Sequence, residues 1–304
     1  MTYLFHEQLT YLTDSGLETT LLFLDGHELP SFAAFPLYDN AQGRDRLERY
    51  YAEHLGVARD HGMGFVVEAA TWRANAEWGA TVGYGAEALD RVNRFAIAFG
   101  RKVAEQYPTV PTVVSGQIGP RGDGYVAGDA MTPAEAEAYH APQVESFAAA
   151  GADIVAALTM TSSAEAIGIV RAARKAGIPA AIAFTVETDG VLPSGEALAE
   201  AIARTDRETD AGAAYFMINC AHPAHFEHVL GPEVAARVRG IRANASTCSH
   251  AELDAATALD FGDPVALGAA YRALGEKLPH LKVVGGCCGT DIRHIREIAA
   301  RVTA

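Results

Sequence analysis

The sequence predicts a (β/α)₈ barrel. Short β-branched runs alternate eight times with longer Ala-, Glu- and Arg-rich stretches of helical period along 304 residues. Helix start and stop signals punctuate the series, and no low-complexity segment, internal repeat or composition shift interrupts it. Residues 1–304 therefore read as one domain. Eight strand–helix units in this length suit a closed parallel barrel, with an open doubly wound sheet as the structural alternative.

The first strand is expected over Tyr11–Leu17, and a helix over Asp45–Asp60 leads to a second strand at Gly64–Thr71. A helical stretch, Gly85–Tyr107, precedes the third strand at Thr112–Gln117. Thr132-Pro133-Ala134-Glu135 is a helix start, with a Thr cap, Pro at the first position and Glu at the third. That helix runs to about Ala150 and the fourth strand follows at Ala152–Ala157. Ser163–Ala176 is helical and stops at Gly177, and Pro179–Val186 is the fifth strand. Gly195–Gly212 and Pro223–Val234 are the helices on either side of a sixth strand, Ala214–Cys220. Val238–Asn244 and His280–Cys288 are the last two strands, with helices at Pro264–Lys277 and Ile292–Val302. Two connections, Leu22–Gly43 and Ile118–Met131, are longer than a plain barrel needs. Rich in Gly, Pro and aromatic residues, they are expected at the active-site rim.

The net charge of −14, from 38 acidic against 24 basic residues, repels phosphate backbones and anionic lipid heads. Nucleic acid and membrane are thus not expected as partners. No stretch reaches the roughly 18 apolar residues that span a bilayer. The first eight residues lack the basic and apolar regions of a signal peptide, so a cytoplasmic protein is expected. Four cysteines, two of them adjacent, do not make a disulfide framework and should remain thiols.

Three of those cysteines fall at strand C-terminal ends: Cys220 after the sixth strand, Cys287 and Cys288 after the eighth. In a parallel barrel such ends share one mouth. Three thiolates with a vacant fourth position suit a catalytic Zn²⁺ site, because soft sulfur favours zinc over magnesium or manganese. A substrate thiol entering that position would lose its proton and could attack an electrophilic methyl group. The alternative is that these are ordinary buried cysteines, as Cys248 past the seventh strand looks to be.

Gly285-Gly286-Cys287-Cys288-Gly289-Thr290, with Ile218-Asn219-Cys220, resembles the homocysteine S-methyltransferase family. Asp14-Ser15-Gly16-Leu17-Glu18-Thr19, Gly116-Gln117-Ile118-Gly119-Pro120, Gly151-Ala152-Asp153 and the segment Phe184–Leu198 agree in order, so the similarity covers nearly the whole chain. The resemblance implies zinc on Cys220, Cys287 and Cys288, with homocysteine as the usual fourth ligand. It places Asp14 near the substrate's amino group, and Asn219 and Asn244 beside the metal-bearing strand ends, the three taken together as catalytic candidates. Members use S-methylmethionine, S-adenosylmethionine or betaine, or form the homocysteine module of cobalamin-dependent methionine synthase. A departure falls at strand four, where the family's Glu-Thr is here Leu158-Thr159. Glu18 or Glu68 is expected to compensate, and both join Asp14, Trp72 and Thr159 as expected substrate contacts.

Trp72 and Trp78 lie just after strand two, where aromatic faces would suit a sulfonium or quaternary-ammonium donor. Arg73 between them would oppose such a donor unless it pairs with Glu77 or a substrate carboxylate. The expected activity is methyl transfer to homocysteine, giving methionine. Two alternatives stand beside it: another thiol acceptor or a separate corrinoid protein partner, and a non-catalytic zinc- or thiol-binding barrel. A homo-oligomer is compatible with the sequence.

Overall fold

The computed structural model describes residues 5–129 and 131–303. Eight parallel strands close on themselves in sequence order. They are β1 (Tyr11–Leu12), β2 (Gly64–Glu68), β3 (Thr112–Ile118), β4 (Ile154–Met160), β5 (Ala180–Phe184), β6 (Tyr215–Asn219), β7 (Val238–Ala243) and β8 (Val283–Gly286). Closure is visible at Tyr11, which pairs with Gly64 on one side and Val283 on the other. The outer helices are α1 (Ala41–Asp60), α2 (Ala86–Glu105), α3 (Pro133–Ala149), α4 (Ser163–Ala176), α5 (Leu198–Thr209), α6 (Pro232–Arg237), α7 (Pro264–Lys277) and α8 (Ile292–Val302). The open-sheet alternative is excluded by this closure.

Strand alternation divides the apolar residues into two layers. Phe65, Val67, Phe184, Phe216 and Ile218 face the helices. Val66, Ile154, Leu158, Tyr215 and Met217 fill the barrel interior. Phe5 packs on Tyr11 and Tyr215 at 4.8 and 5.6 Å between ring centroids, closing the N-terminal end. Towards the opposite end the interior turns polar, with Glu68, Ser115, Asn219 and Arg242 all buried. Among the described residues no helix is long and apolar enough to cross a membrane.

Element ends depart from the sequence expectation for identifiable reasons. Regular strand ends at Leu12, although Thr13 N still donates to the Val284 carbonyl and Gly286 N to the Asp14 carbonyl. At Ser15 and Gly16 the backbone leaves β8's strand direction and donates to His54 Nε2 and to Thr290. β2 and β8 are likewise shorter than expected, since Ala69–Thr71 and Cys287–Cys288 already belong to the mouth. The expected helix Pro223–Val234 is broken: a short helix at Pro223–Phe226 and a 3₁₀ turn precede α6, which begins at Pro232 after Gly231. Proline has no N–H to continue a helix but fits its first turn. The α1 helix starts at Ala41 rather than Asp45, because the Asn40 side chain caps Gly43 N at 2.8 Å. The Thr132–Glu135 capping box of α3 is formed on both sides.

Candidate functional site

The site is built on strand ends whose backbone is bent out of regular geometry. Cys220, directly after β6, has φ +52°, and Thr159, the penultimate residue of β4, has φ +62°. Left-handed backbone is uncommon for non-glycine residues and persists where neighbours over-determine it. Asn219 supplies that determination for Thr159: its Oδ1 accepts from Thr159 N at 2.8 Å and its Nδ2 donates to Thr159 Oγ1 at 2.9 Å. Asn244 Nδ2 donates to the Cys220 carbonyl at 3.0 Å. His250 Nε2 reaches the same carbonyl at 2.8 Å, while its Nδ1 meets Glu187 Oε1 at 2.9 Å. Both asparagines thus hold backbone at the site, and Asn219 also borders an inner chamber.

The sulfurs of Cys220, Cys287 and Cys288 lie within 4.8 Å of one another. Cys220 and Cys287 are joined, and Cys248 and Cys288 are free. The expectation that all four cysteines remain thiols is therefore corrected for one pair. Its reason is the convergence of β6 and β8, which brings the two Cα atoms to 5.4 Å, inside the range that a disulfide bridges. Cys288 Sγ is 4.0 Å from Cys220 Sγ. Enclosure pushes the Cys288 thiol up to about 11. Burial outweighs the pull of the Tyr125 hydroxyl and of Arg242 towards the thiolate, a form that a bound cation would favour. Gly16 packs on this cluster: a Cβ there would sit 2.5 Å from the Cys287 carbonyl oxygen.

Two connected spaces meet at the cysteines. An outer cavity of about 440 Å³ is lined by Phe32, Trp72, Arg73 and Tyr125 together with Asp123, Asp254 and Asp260. An inner chamber of about 50 Å³ is bordered by Asp14, Glu18, Gln117, Leu158 and Arg242. Thr19, Phe32, Trp72, Thr159, Cys220 and Cys288 border both. The long connections after β1 and β3 thus supply rim residues, Phe32 and Tyr125 among them. Tyr125 stacks on His250, 4.0 Å between centroids and 9° between planes, and its hydroxyl approaches Cys288 and Asn244.

The sequence pattern that defines homocysteine S-methyltransferase matches residues 13–302. The chain belongs to the homocysteine S-methyltransferase family. It is 32% identical over 171 residues to methionine synthase of Mycobacterium leprae, a stretch covering 50% of this chain and 13% of that protein. A similar match to the Mycobacterium tuberculosis methionine synthase covers 46% and 12%. The chain therefore corresponds to a small part of these relatives. Its fold matches the homocysteine methyltransferase MmuM of Escherichia coli in the oxidized form, with a TM-score of 0.77 at 20% identity and 97% of each chain covered. The metallated form of MmuM matches at 0.74, with 21% identity and again 97% of each chain covered.

Among the other site residues of this family member, Asp14 lies at the inner chamber but both its oxygens are engaged. Oδ1 accepts from Arg242 Nη2 at 2.7 Å and Oδ2 from Tyr50 at 3.2 Å. The Asp14–Gly16 turn is fixed from behind. His54 donates from Nδ1 to the Tyr50 carbonyl at 2.7 Å, leaving Nε2 to accept from Ser15 N at 3.2 Å. Burial lowers the His54 pKa, keeping the ring neutral for that role. Arg242, Tyr50, His54, His250 and Tyr125 were not singled out from the sequence. Trp72 Nε1 donates to the Leu158 carbonyl at 3.2 Å. Arg73 lies between the two indoles, 4.0 Å from Trp72 and 3.6 Å from Trp78, and donates to the Gly122 carbonyl. Its expected partner Glu77 pairs with Arg121 instead, at 2.6 Å. Cys248 is not in the cysteine cluster.

Glu68 is buried beneath the chamber rather than on it, with Oε1 3.9 Å from Arg242 Nη1 and Oε2 without a partner. Burial pushes its carboxyl up to about 7, against the pull of Arg242 and Ser115, with Asp14 adding to the rise. A folded-state pKa above the ordinary 4.5 means its proton stabilises the fold fully below about 4.5. That contribution is lost as pH rises through about 7. Glu68→Gln is therefore expected to gain stability relative to the natural protein between pH 5 and pH 8, by on the order of 2–3 kcal/mol. Urea denaturation at the two pH values measures this, and an equal difference at both would refute it.

Proposed function

We propose that this chain is a zinc-dependent S-methyltransferase that carries a methyl group from a sulfonium or quaternary-ammonium donor to the thiol of homocysteine, giving methionine. The observation that carries the reading is the meeting of three cysteine sulfurs at the junction of a small chamber and a larger one. Two substrates approaching from opposite sides of that junction would bring thiol and methyl group together. Cys220, Cys287 and Cys288 would hold the zinc once the Cys220–Cys287 pair is reduced. Three sulfur donors with room for a fourth fit that ion. The metallated form of MmuM supports a metal in the family. Bound zinc would stabilise a substrate thiolate near neutral pH, the species that attacks.

The chain's own residues supply the rest. Asn219 Nδ2 lies 3.9 Å from Cys287 Sγ and, through Thr159 and the β6 end, keeps the junction in register. Asn244 and His250 fix the Cys220 carbonyl from the other side. The inner chamber is small, so an acceptor reaching the cysteines from that side would have to be compact, which favours homocysteine over a peptide-borne cysteine. Aromatic and acidic walls suit a cationic donor in the outer cavity, since ring faces and carboxylates both attract positive charge. Stacking between two indoles fixes the Arg73 guanidinium in the same wall, where a donor's carboxylate would have to pair with it.

The test is methionine formation from homocysteine by reduced, zinc-loaded protein, supplied in turn with S-methylmethionine, S-adenosylmethionine and betaine. Product with one donor is the expected result and names the donor. No product with any of them, from protein carrying one zinc per chain, would overturn the single-protein reading. Product appearing only with a methylated corrinoid protein would assign the donor to that partner instead.

A further inference from the structure

We infer that Glu18 is the residue that selects an acceptor carrying an ammonium group. This rests on the reading of homocysteine as the acceptor and deepens it. Apart from the cysteines, three charged side chains border the inner chamber: Asp14, Glu18 and Arg242. Asp14 and Arg242 pair with each other at 2.7 Å, and Tyr50 takes the second Asp14 oxygen. That pair is electrically balanced and geometrically closed. On the β4 side the wall is Leu158, whose side chain belongs to the apolar interior. Glu68 does not reach the chamber. Glu18 is different on each count: it is half-buried on the short helix Leu17–Thr19, directly after the Asp14–Gly16 turn. Among the described residues its carboxylate forms no salt bridge and accepts no hydrogen bond from another residue.

A carboxylate without a counter-ion in a confined space is poorly solvated and gains most from a ligand that brings one. The free energy of Glu18 is consistent with this: loss of water pushes its carboxyl up to about 7, with Asp14 raising it and Arg242 and Arg73 lowering it. An ammonium on the acceptor would supply the missing partner. The same feature discriminates against thiols of equal length that lack the amino group, because they leave Glu18 as it is. The thiol end of the ligand would then lie towards Cys288, which also borders the chamber.

Calorimetric titration of reduced, zinc-loaded protein at pH 8 with homocysteine and with 4-mercaptobutyrate, the same thiol without its amino group, tests the inference. The natural protein is expected to bind homocysteine at least about 10-fold tighter. Glu18→Gln is expected to weaken homocysteine by about 10- to 100-fold, the usual range for deleting one partner of an enclosed charge pair. The same variant should leave 4-mercaptobutyrate within about 2-fold, and Glu18→Asp should restore part of the difference. Equal weakening of both thiols, or an unchanged homocysteine affinity in Glu18→Gln, would overturn the role of Glu18 alone. Failure of the natural protein to bind homocysteine would remove the acceptor assignment and, with it, this inference. Zinc content and melting temperature equal to those of the natural protein separate a selective effect from misfolding.

Discussion

Cys287→Ala is expected to lower zinc affinity by about 10²- to 10³-fold and to reduce methionine formation below detection. Structural zinc sites with four protein ligands bind with about 10–16 kcal/mol, so each ligand accounts for about 3 kcal/mol or more. The variant would retain Cys220 and Cys288, whose sulfurs stand 4.0 Å apart and so still offer two donors. Two donors leave more open positions for water and lose the closed set that favours zinc over other ions. The fold should survive the change, because Cys287 follows β8 at the mouth and is half-buried rather than part of the packed interior. The measurement is zinc per chain after gel filtration against a weak chelator, together with the methyl-transfer assay on the same sample. A variant that retains one zinc per chain and full activity would refute Cys287 as a ligand. Substituting Cys248, which lies outside the cluster, provides the control and is expected to change neither quantity.

The barrel and the convergence of the cysteines were legible because both follow from periodicity and topology. Parallel closure sends every strand end to one mouth, so Cys220 and Cys287 meet although 67 residues separate them. The residues that hold them there were not legible in the same way. Arg239 and Arg242 lie three apart on β7, so a period of two puts them on opposite faces without saying which is inside. The structure leaves Arg239 exposed and buries Arg242. Tyr50 and His54 read as part of one face of α1, but their partners at Asp14 and Ser15 lie more than 30 residues away. The helix His250–Ala255 carries a readable start signal in Ser249 and Glu252, which form a capping box. Its importance, the contact of His250 with the Cys220 carbonyl, depends on tertiary placement. The choice between Glu18 and Glu68 likewise turned on which carboxylate borders the chamber, a fact with no local sequence signature.

Arg242→Met should be the most destabilising substitution at the site, by about 3–5 kcal/mol, the cost of removing one partner from a buried ion pair. Its guanidinium donates to Asp14 Oδ1 at 2.7 Å and to the Gly286 carbonyl at 3.1 Å, while Nη1 stands 3.9 Å from Glu68. Burial works against the arginine's charge, but Asp14 and then Glu68 more than offset it and raise its pKa. Without Arg242 the Asp14 carboxylate would remain 3% exposed with only the Tyr50 hydroxyl as a direct partner. At about 2–4 °C per kcal/mol for chains of comparable size, the melting temperature should fall by roughly 10 °C or more. Asp14→Asn alone should also destabilise, since it strands the arginine. Adding Asp14→Asn to Arg242→Met should cost much less than the sum of the two, because the double variant leaves neither member of the Asp14–Arg242 pair facing an absent partner. Denaturation of the four proteins yields that coupling directly, and strict additivity would show that the two groups do not depend on each other. A strong coupling would have a consequence for recognition as well. The Asp14 charge would already be balanced within the protein, and an incoming ammonium would have to find its counter-ion at Glu18.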